Sequence, residues 1–292
     1  DRIKKGINEY LWLPEKGYYA QFRYGRNYKF VSPRAEALGE ALCVIFGIAD
    51  EARAKQVVAS TPVTAFGIPC IYPQIPNIPP YHNNAVWPFV QTYWLWAAAK
   101  AGNERAVSES IFAIYRPAAL FLTNKENFVV DNGDFNGTQI NSSVMLWSLS
   151  GNISIVQKVF FGIRFNPDGL SFEPFVPRVL AGKRRLDNFR YRNDVLDIEM
   201  EGFGNGIQTF MLDGKVMKQA VIPETLTGKH TVSIVLAGNT NGHYDVNMGN
   251  NMYTLPSPSV TFDGVKLSWD AVKGAKAYRV LQNGKLLKIG RA

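Results

Sequence analysis

Near residue 165 the hydrophobic period of the chain changes, and this change limits the possible folds more than any other feature. Before it, apolar residues recur at helical spacing in "SPRAEALGEALCVIFGI", "DEARAKQVVAST", "VWPFVQTYWLWAAAKAGN" and "ERAVSESIFAIYRPAALFL". Spacings of three and four place such residues on one helix face. After it, "LSFEPFV", "LDNFRYRNDVLDIEMEGF", "IQTFMLDGKVM" and "HTVSIVLAG" alternate apolar with polar between Asn-Asp, Gly-Asn-Gly and Asp-Gly turns, as strands with one wet face do. A chain with both periods is α+β and multidomain. Its 292 residues leave room for more than one core. We expect helices over 1–165, an antiparallel β-sandwich over 166–255, and over 256–292 the opening strands of a module that resembles fibronectin type III. Trp269 would be that module's core tryptophan, and the module stops before enough strands exist to close it.

Within 1–165 the helices pair. "INEYLW" reads as a helix end, Ser32 and Pro33 as the cap and first turn of the next helix, and Gly102-Asn103 as a stop. "QINSSVMLWSLSG" and "ISIVQKVFFGI" are expected to form a further hairpin hinged at Gly151. One helix of each pair is apolar nearly all round and the other amphipathic, as two concentric rings would require. The segments between pairs, 13–32, 62–86 and 123–138, are long and hold most of the polar aromatics, and long loops in compact domains tend to carry function.

Several classes drop out. Hydrophobic residues make up 46% and charged residues 19% of the chain, so it folds. "AVWPFVQTYWLWAAAKAG" is broken by Pro88, Gln91 and Thr92, short of the roughly 20 apolar residues of a membrane span. The formal charge of +8 is scattered apart from "GKRRL" at 182–186, and with no basic stripe a nucleic-acid partner is not expected. Cys43 and Cys70 read as free thiols. His82, His230 and His243 stand far apart with no second ligand at metal spacing. No Gly-x-Ser-x-Gly elbow occurs, and "GFGNG" at 202–206 precedes a strand and not a helix, so no metal or cofactor is expected. The chain begins at Asp1 without methionine, through a removed leader or a cut from something longer, and a periplasmic or extracellular setting is expected.

Carboxylates and aromatics remain, gathered in the long loops. In "FLTNKENFVVDNGDFNGTQINSS", Glu126 stands among Asn124, Asn127, Asp131 and Asp134. Amide donors can orient such a carboxylate as a general base that activates water; the plainer alternative is a solvated loop with helix caps. A pyranose is apolar above and below its ring and hydroxylated at its rim. Tyr72, Tyr81, Trp87, Asn83, Asn84 and Gln139 offer the matching flat faces and amides.

Three segments carry a family resemblance: "PPYHNNAVWPFVQTYWLWAAAKAGN", "ENFVVDNGDFNGTQINSSVMLWSLSG" and "FGIRFNPDGLSFEPFVP". In order and spacing they resemble the C-terminal half of a six-hairpin, (α/α)6-barrel glycoside hydrolase, the superfamily of trehalases, family 63 α-glucosidases, α-L-rhamnosidases and glycogen-debranching-like enzymes. The resemblance implies inverting hydrolysis of an α-linked glucoside or related oligosaccharide by two carboxyl groups roughly 6.5–9.5 Å apart. Glu126 would be the general base. The general acid and the N-terminal half of the barrel would lie upstream of this chain, and an oligosaccharide or polysaccharide would be the partner. His82-Asn83-Asn84 replaces the family's Trp-x-Gly, so no named substrate carries over. His82 is read as a sugar contact or as a structural cap, Trp87 as a sugar platform or a packing residue, and Asn141 and Ser142 as packing. Arg23 and Tyr24 lie in another rim loop that could face substrate. The competing readings are a phosphorylase and a non-catalytic carbohydrate-binding protein.

Overall fold

The structure is a computed structural model that describes residues 1–292 apart from 241, 243 and 292; His243 is outside the described residues. Helix α1 (Arg2–Tyr10) leads into short antiparallel ladders: β1 (Trp12–Leu13) on β2 (Tyr18–Tyr19), and β3 (Arg23–Tyr24) on β4 (Phe30–Val31). Next comes β5 (Ala35–Glu36), followed by α2 (Ala37–Ile45) and α3 (Glu51–Ser60) before its partner β6 (Ile71–Tyr72). The chain continues through β7 (Ala85–Val86), α4 (Pro88–Lys100), α5 (Glu104–Phe121), β8 (Phe128–Val129) and α6 (Leu146–Ser154).

Local chemistry sets these ends. Asp50 accepts from the amide of Arg53 at 2.9 Å to open α3, and Asn103 from that of Ala106 at 2.9 Å to open α5, each satisfying an orphan donor of a first turn. Pro88 starts α4, where its missing N–H costs nothing. α2 begins later than Ser32 and Pro33 suggest. Ala35 and Glu36 are taken by the ladder with Tyr72 and Ile71, and Glu36 becomes the cap, accepting from Leu38 N at 3.3 Å and Gly39 N at 2.8 Å.

The helices do not make concentric rings. Among the described residues there are six α-helices and the sheets are mostly small and antiparallel, a mixed α+β arrangement that does not fit a (α/α)6 barrel of helical hairpins. The partial barrel and the resemblance built on it are therefore set aside. Two physical reasons stand out. The segments read as spacers between hairpins pair with one another as ladders instead of spacing helices around a ring. And α4, apolar on every side, is enclosed by α2, α5 and α6 as a single central helix.

No hairpin hinges at Gly151 either. That residue is mid-helix, and α6 runs straight into a π-helical turn, Ile155–Phe160, closed by Phe161 N donating to Val156 O at 2.9 Å. Gly151 is where α6 meets α4. A Cβ there would stand 2.5 Å from Thr92 Oγ1, and that hydroxyl is held by its bond to Pro88 O at 2.8 Å.

Beyond the π turn, two sheets close on a second core. One has the order β15–β10–β9, with β9 (Ile163–Asn166), β10 (Gly169–Phe172) and β15 (Val221–Pro223). The other runs β11–β12–β16–β13–β14, from β11 (Gly182–Tyr191), β12 (Asp194–Gly202), β13 (Ile207–Leu212), β14 (Lys215–Val216) and β16 (Gly228–Leu236). Leu170, Phe172 and Ile222 face Leu196, Ile198, Met200, Phe210 and Ile234 between them. The sandwich is not purely antiparallel, because β12 and β16 pair in parallel at its centre, Asp194 on Gly228 through Glu201 on Val235. Alternation fixes which face is buried and says nothing about direction.

Two devices tie the layers together. Glu104, at the start of α5, accepts from Arg178 N at 2.7 Å, Thr240 Oγ1 at 2.6 Å and Tyr244 OH at 3.3 Å. Burial pushes its carboxyl up, but those bonds together outweigh it and hold it below the usual range. The segment from Tyr244 to Thr254 then returns as an extended strap. It pairs Met248 with Val63 and Tyr253 with Gln74, while Asn103 Nδ2 holds Asp245 O at 2.8 Å. The last residues form two hairpins, β17 (Val260–Phe262) with β18 (Leu267–Trp269) and β19 (Ala277–Gln282) with β20 (Lys285–Arg291). Trp269 meets Tyr278 at 5.4 Å between ring centroids.

Gly151→Ala should cost about 1–3 kcal/mol in denaturant unfolding, the usual cost of overpacking a tight contact. A second expectation concerns Glu40, buried in α2 with both oxygens on Tyr19 N at 3.0 and 3.1 Å. Burial lifts its carboxyl well above the ordinary value, and nearby Glu36 adds to that, with the Tyr19 amide opposing. A carboxyl raised on folding contributes its full stability below the unfolded value and loses it as pH rises towards the folded one. Thermal melts from pH 5 to 8 should therefore show Glu40→Gln gaining stability relative to the parent as pH increases.

Candidate functional site

The ladder of β7 on β8, Ala85 with Val129 and Val86 with Phe128, is the frame of the site. It lays 81–84 beside 126–127. Gln139 N donates to Pro80 O at 2.7 Å and Glu126 N to Ser142 O at 3.0 Å, which clips the returning loop to both. Asn141 accepts from Glu126 N at 3.3 Å and donates to Asn127 O at 2.7 Å. In this frame the Glu126 carboxylate is buried, and its Oε1 accepts from Tyr81 OH at 3.3 Å. Among the described residues no donor engages its Oε2. Burial, and then the charge of Glu126, raises the Tyr81 phenol, so it stays a neutral donor.

Tyr81 belongs to an aromatic cluster. His82 lies parallel on Trp87, with centroids 4.9 Å apart and planes at 21°, and Tyr81 meets Trp87 edge-on at 5.1 Å. Trp87 is buried and donates through Nε1 to Tyr81 O at 2.7 Å. Trp147, at the start of α6, meets Trp87 edge-on at 5.8 Å and stacks on Phe89 at 5.0 Å. His82, Trp87, Phe89 and Trp147 line a groove of about 360 Å³, with Leu38 and Glu36 also in its lining. Apolar faces with a few polar groups at the rim are what a ring-shaped, hydroxylated ligand requires.

The other residues singled out from the sequence are placed differently. Asn83 is buried with its amide committed to the 75–78 loop, accepting from Ile75 N at 2.6 Å and donating to Ile75 O and Ile78 O. Asn84, at φ 53°, is engaged on every side: by Gln74 Oε1 at 2.6 Å, Asp131 at 3.3 Å, Asn251 at 2.7 Å and Val130 N at 3.2 Å. Asparagine tolerates that left-handed backbone better than most residues. Tyr72 reaches the strap through its hydroxyl, at 3.3 Å from Asn250 O. The Gln139 side chain is exposed. Arg23 is exposed on the β3–β4 ladder with its guanidinium 4.5 Å over the Tyr10 ring, outside the groove.

Glu36 is one of four carboxylates in residues 1–60, with Glu9, Glu15 and Glu40, that the sequence offers for a general acid without a matching motif. Two contributors were not marked in the sequence: Trp147 carried the helical period of a buried position, and Asn251 comes from 120 residues past its partner Asp131. A Trp at the first turn of a helix packed through a mid-helix glycine is the signal that marks Trp147. Asn251 Nδ2 bridges Asn84 Oδ1 at 2.7 Å and Asp131 Oδ1 at 2.9 Å, so the strap joins the two site loops. Asn251→Ala should speed amide exchange at 81–84 and 129–134 in hydrogen-exchange mass spectrometry while leaving the sandwich strands unchanged. No protein-family model matches the chain, and no curated protein matches it either.

Proposed function

We propose that the chain is a glycosidase, or part of one, in which Glu126 is the general base for inverting hydrolysis of an α-linked glucoside or related oligosaccharide. The observation that supports this reading is the Tyr81–Glu126 pair, a carboxylate oriented by a neutral phenol; the pair does not itself line the aromatic groove, but Tyr81 packs against two residues that do, His82 and Trp87. A base in this role takes a proton from water as that water attacks the anomeric carbon, from the face opposite the departing oxygen, while a second carboxylic acid, which we do not assign to any residue of this chain, gives that oxygen its proton as the glycosidic bond breaks. Tyr81 holds one carboxylate oxygen and leaves the other for the water. Glu36 also borders the groove, but both of its oxygens cap α2, so the proposal assigns it no proton transfer. A periplasmic or extracellular setting goes with a polysaccharide substrate.

The test is release of nitrophenol from a panel of α-linked nitrophenyl glycosides by the full chain without added phosphate, with the anomer of the first product followed by NMR. Glu126→Gln should lower turnover by about 10²–10⁴-fold, the usual contribution of a positioned base, and the product should have the opposite configuration to the substrate. Turnover that needs phosphate would point to a phosphorylase. Oligosaccharide binding with no turnover would point to a carbohydrate-binding protein, and hydrolysis undiminished in Glu126→Gln would remove Glu126 from the chemistry.

A further inference from the structure

On the other side of Phe89, α4 and the helix formed by α6 and its π turn enclose a second cavity of about 200 Å³, lined by Tyr93, Trp96, Ser150, Ser154 and Lys158. It adjoins a space of about 160 Å³ at Lys158 and Val159, where Arg164 and Glu173 stand. Sites for drug-sized ligands run roughly 300–1,000 Å³, so these two spaces admit one ring and one appended group.

Several features converge on these two spaces. The Trp96 indole N–H is buried with no acceptor among the described residues, and buried donors without partners are uncommon in folded proteins. Arg164 takes the carboxylate of Glu173 through Nε at 3.1 Å, donates to Lys158 O at 2.7 Å and lies 5.4 Å over the Trp96 ring, which leaves the opposite face of that ring for a ligand. Lys158 has no carboxylate partner among the described residues, and its ammonium lies 4.7 Å over the Phe165 ring. Burial, with Arg164 adding to it, pulls that ammonium below its ordinary range, as for a cation short of counter-charge. Finally, Lys158 is carried by a six-residue π-helix, a conformation that is rare and recurs at functional sites.

We propose that this cavity binds an anionic sugar: a pyranose-sized ring carrying one carboxylate or phosphate, with its flat face on Trp96 and Tyr93 and its anion at Lys158. A bound anion supplies the counter-charge that Lys158 lacks, Arg164 being paired already with Glu173. The ring hydroxyls offer acceptors to the Trp96 N–H and partners to the Ser150 and Ser154 hydroxyls. Uncharged sugars leave the ammonium unpaired, and inorganic anions leave the aromatic faces bare, so both bind more weakly.

Calorimetric titration of the full chain with glucuronate, glucose 6-phosphate, glucose and inorganic phosphate tests this, with tryptophan fluorescence as a second readout. One of the two anionic sugars should saturate a single site, and which one does so separates carboxylate from phosphate recognition. Glucose and inorganic phosphate should each bind roughly tenfold or more weakly, as expected when a charge-assisted hydrogen bond or a stacking face is lost. Lys158→Met keeps the aliphatic stem and should weaken binding by a similar factor, while Lys158→Arg retains it. Trp96→Phe keeps a ring and removes the N–H, so it should weaken binding even if the Met variant fails to fold. Saturation by neither anionic sugar, phosphate binding as tightly as the sugars, or undiminished affinity in Lys158→Met and Trp96→Phe would overturn the assignment. These outcomes are read without glycoside hydrolysis, so they stand or fall apart from the role given to Glu126.

Discussion

The helical half of the molecule depends on α4 being enclosed. Trp94, Leu95, Ala97 and Ala98 are wholly or almost wholly buried along it, so exposing those faces would cost a large share of its apolar burial, while Phe89, Tyr93 and Trp96 make a partly open face towards the cavities. α2, α5 and α6 cover it on separate sides. The buried Gln91 and Thr92 side chains on it find partners inside, Thr92 through Pro88 O at 2.8 Å, whereas the Trp96 N–H finds none among the described residues. Gln91 accepts from Ile68 N at 2.8 Å and donates to Ser110 at 2.9 Å, tying the 62–70 segment and α5 to the same side chain. A buried amide that makes both bonds fixes orientation more tightly than apolar contact does, because losing either bond strands a polar group. The central helix therefore selects its neighbours as well as attracting them.

The second half is joined to the first by a shared residue and a charge. Phe160 packs against both cores, while the next residue, Phe161, is fully buried in the sandwich. The wide π turn just before them is what lets consecutive phenylalanines serve two cores. Glu104 works from the other side. Its carboxylate takes an amide from the start of the sandwich and two hydroxyls from the returning strap, so the first turn of α5 is fixed by residues more than 70 positions away in sequence.

What the sequence revealed follows from how local each signal is. α3 and α5 are legible because Asp50 and Asn103 act within three residues, and α4 because Pro88 and an unbroken apolar run act within one helix. The start of α2 was misjudged because a ladder with Ile71 and Tyr72, far along the chain, overrode the Ser32-Pro33 signal. The parallel pairing of β12 with β16 was invisible for the same reason, since alternation is identical in either direction. The barrel resemblance failed on closure, which belongs to the whole chain: three segments in a familiar order do not oblige the intervening loops to space helices around a ring. Within the site, Tyr81, His82 and Trp87 stood in one short run, and Glu126 was one of few carboxylates in an amide-rich loop. The contact between Tyr81 and Glu126 is made by the β7–β8 ladder, across 45 residues.

Helix α6 shows how one small residue organises two surfaces. Without a Cβ at Gly151, the helix lies directly against Thr92, and this approach decides what its two ends present. Its N-terminal turn turns Trp147 towards Trp87 and Phe89 and closes the wall of the first groove. Ser150 and Ser154 farther along it, with Lys158 on the π turn that follows, line the second cavity together with Tyr93 and Trp96 of α4. Both surfaces share Phe89 as their boundary, so any displacement of α6 at Gly151 moves the two walls together.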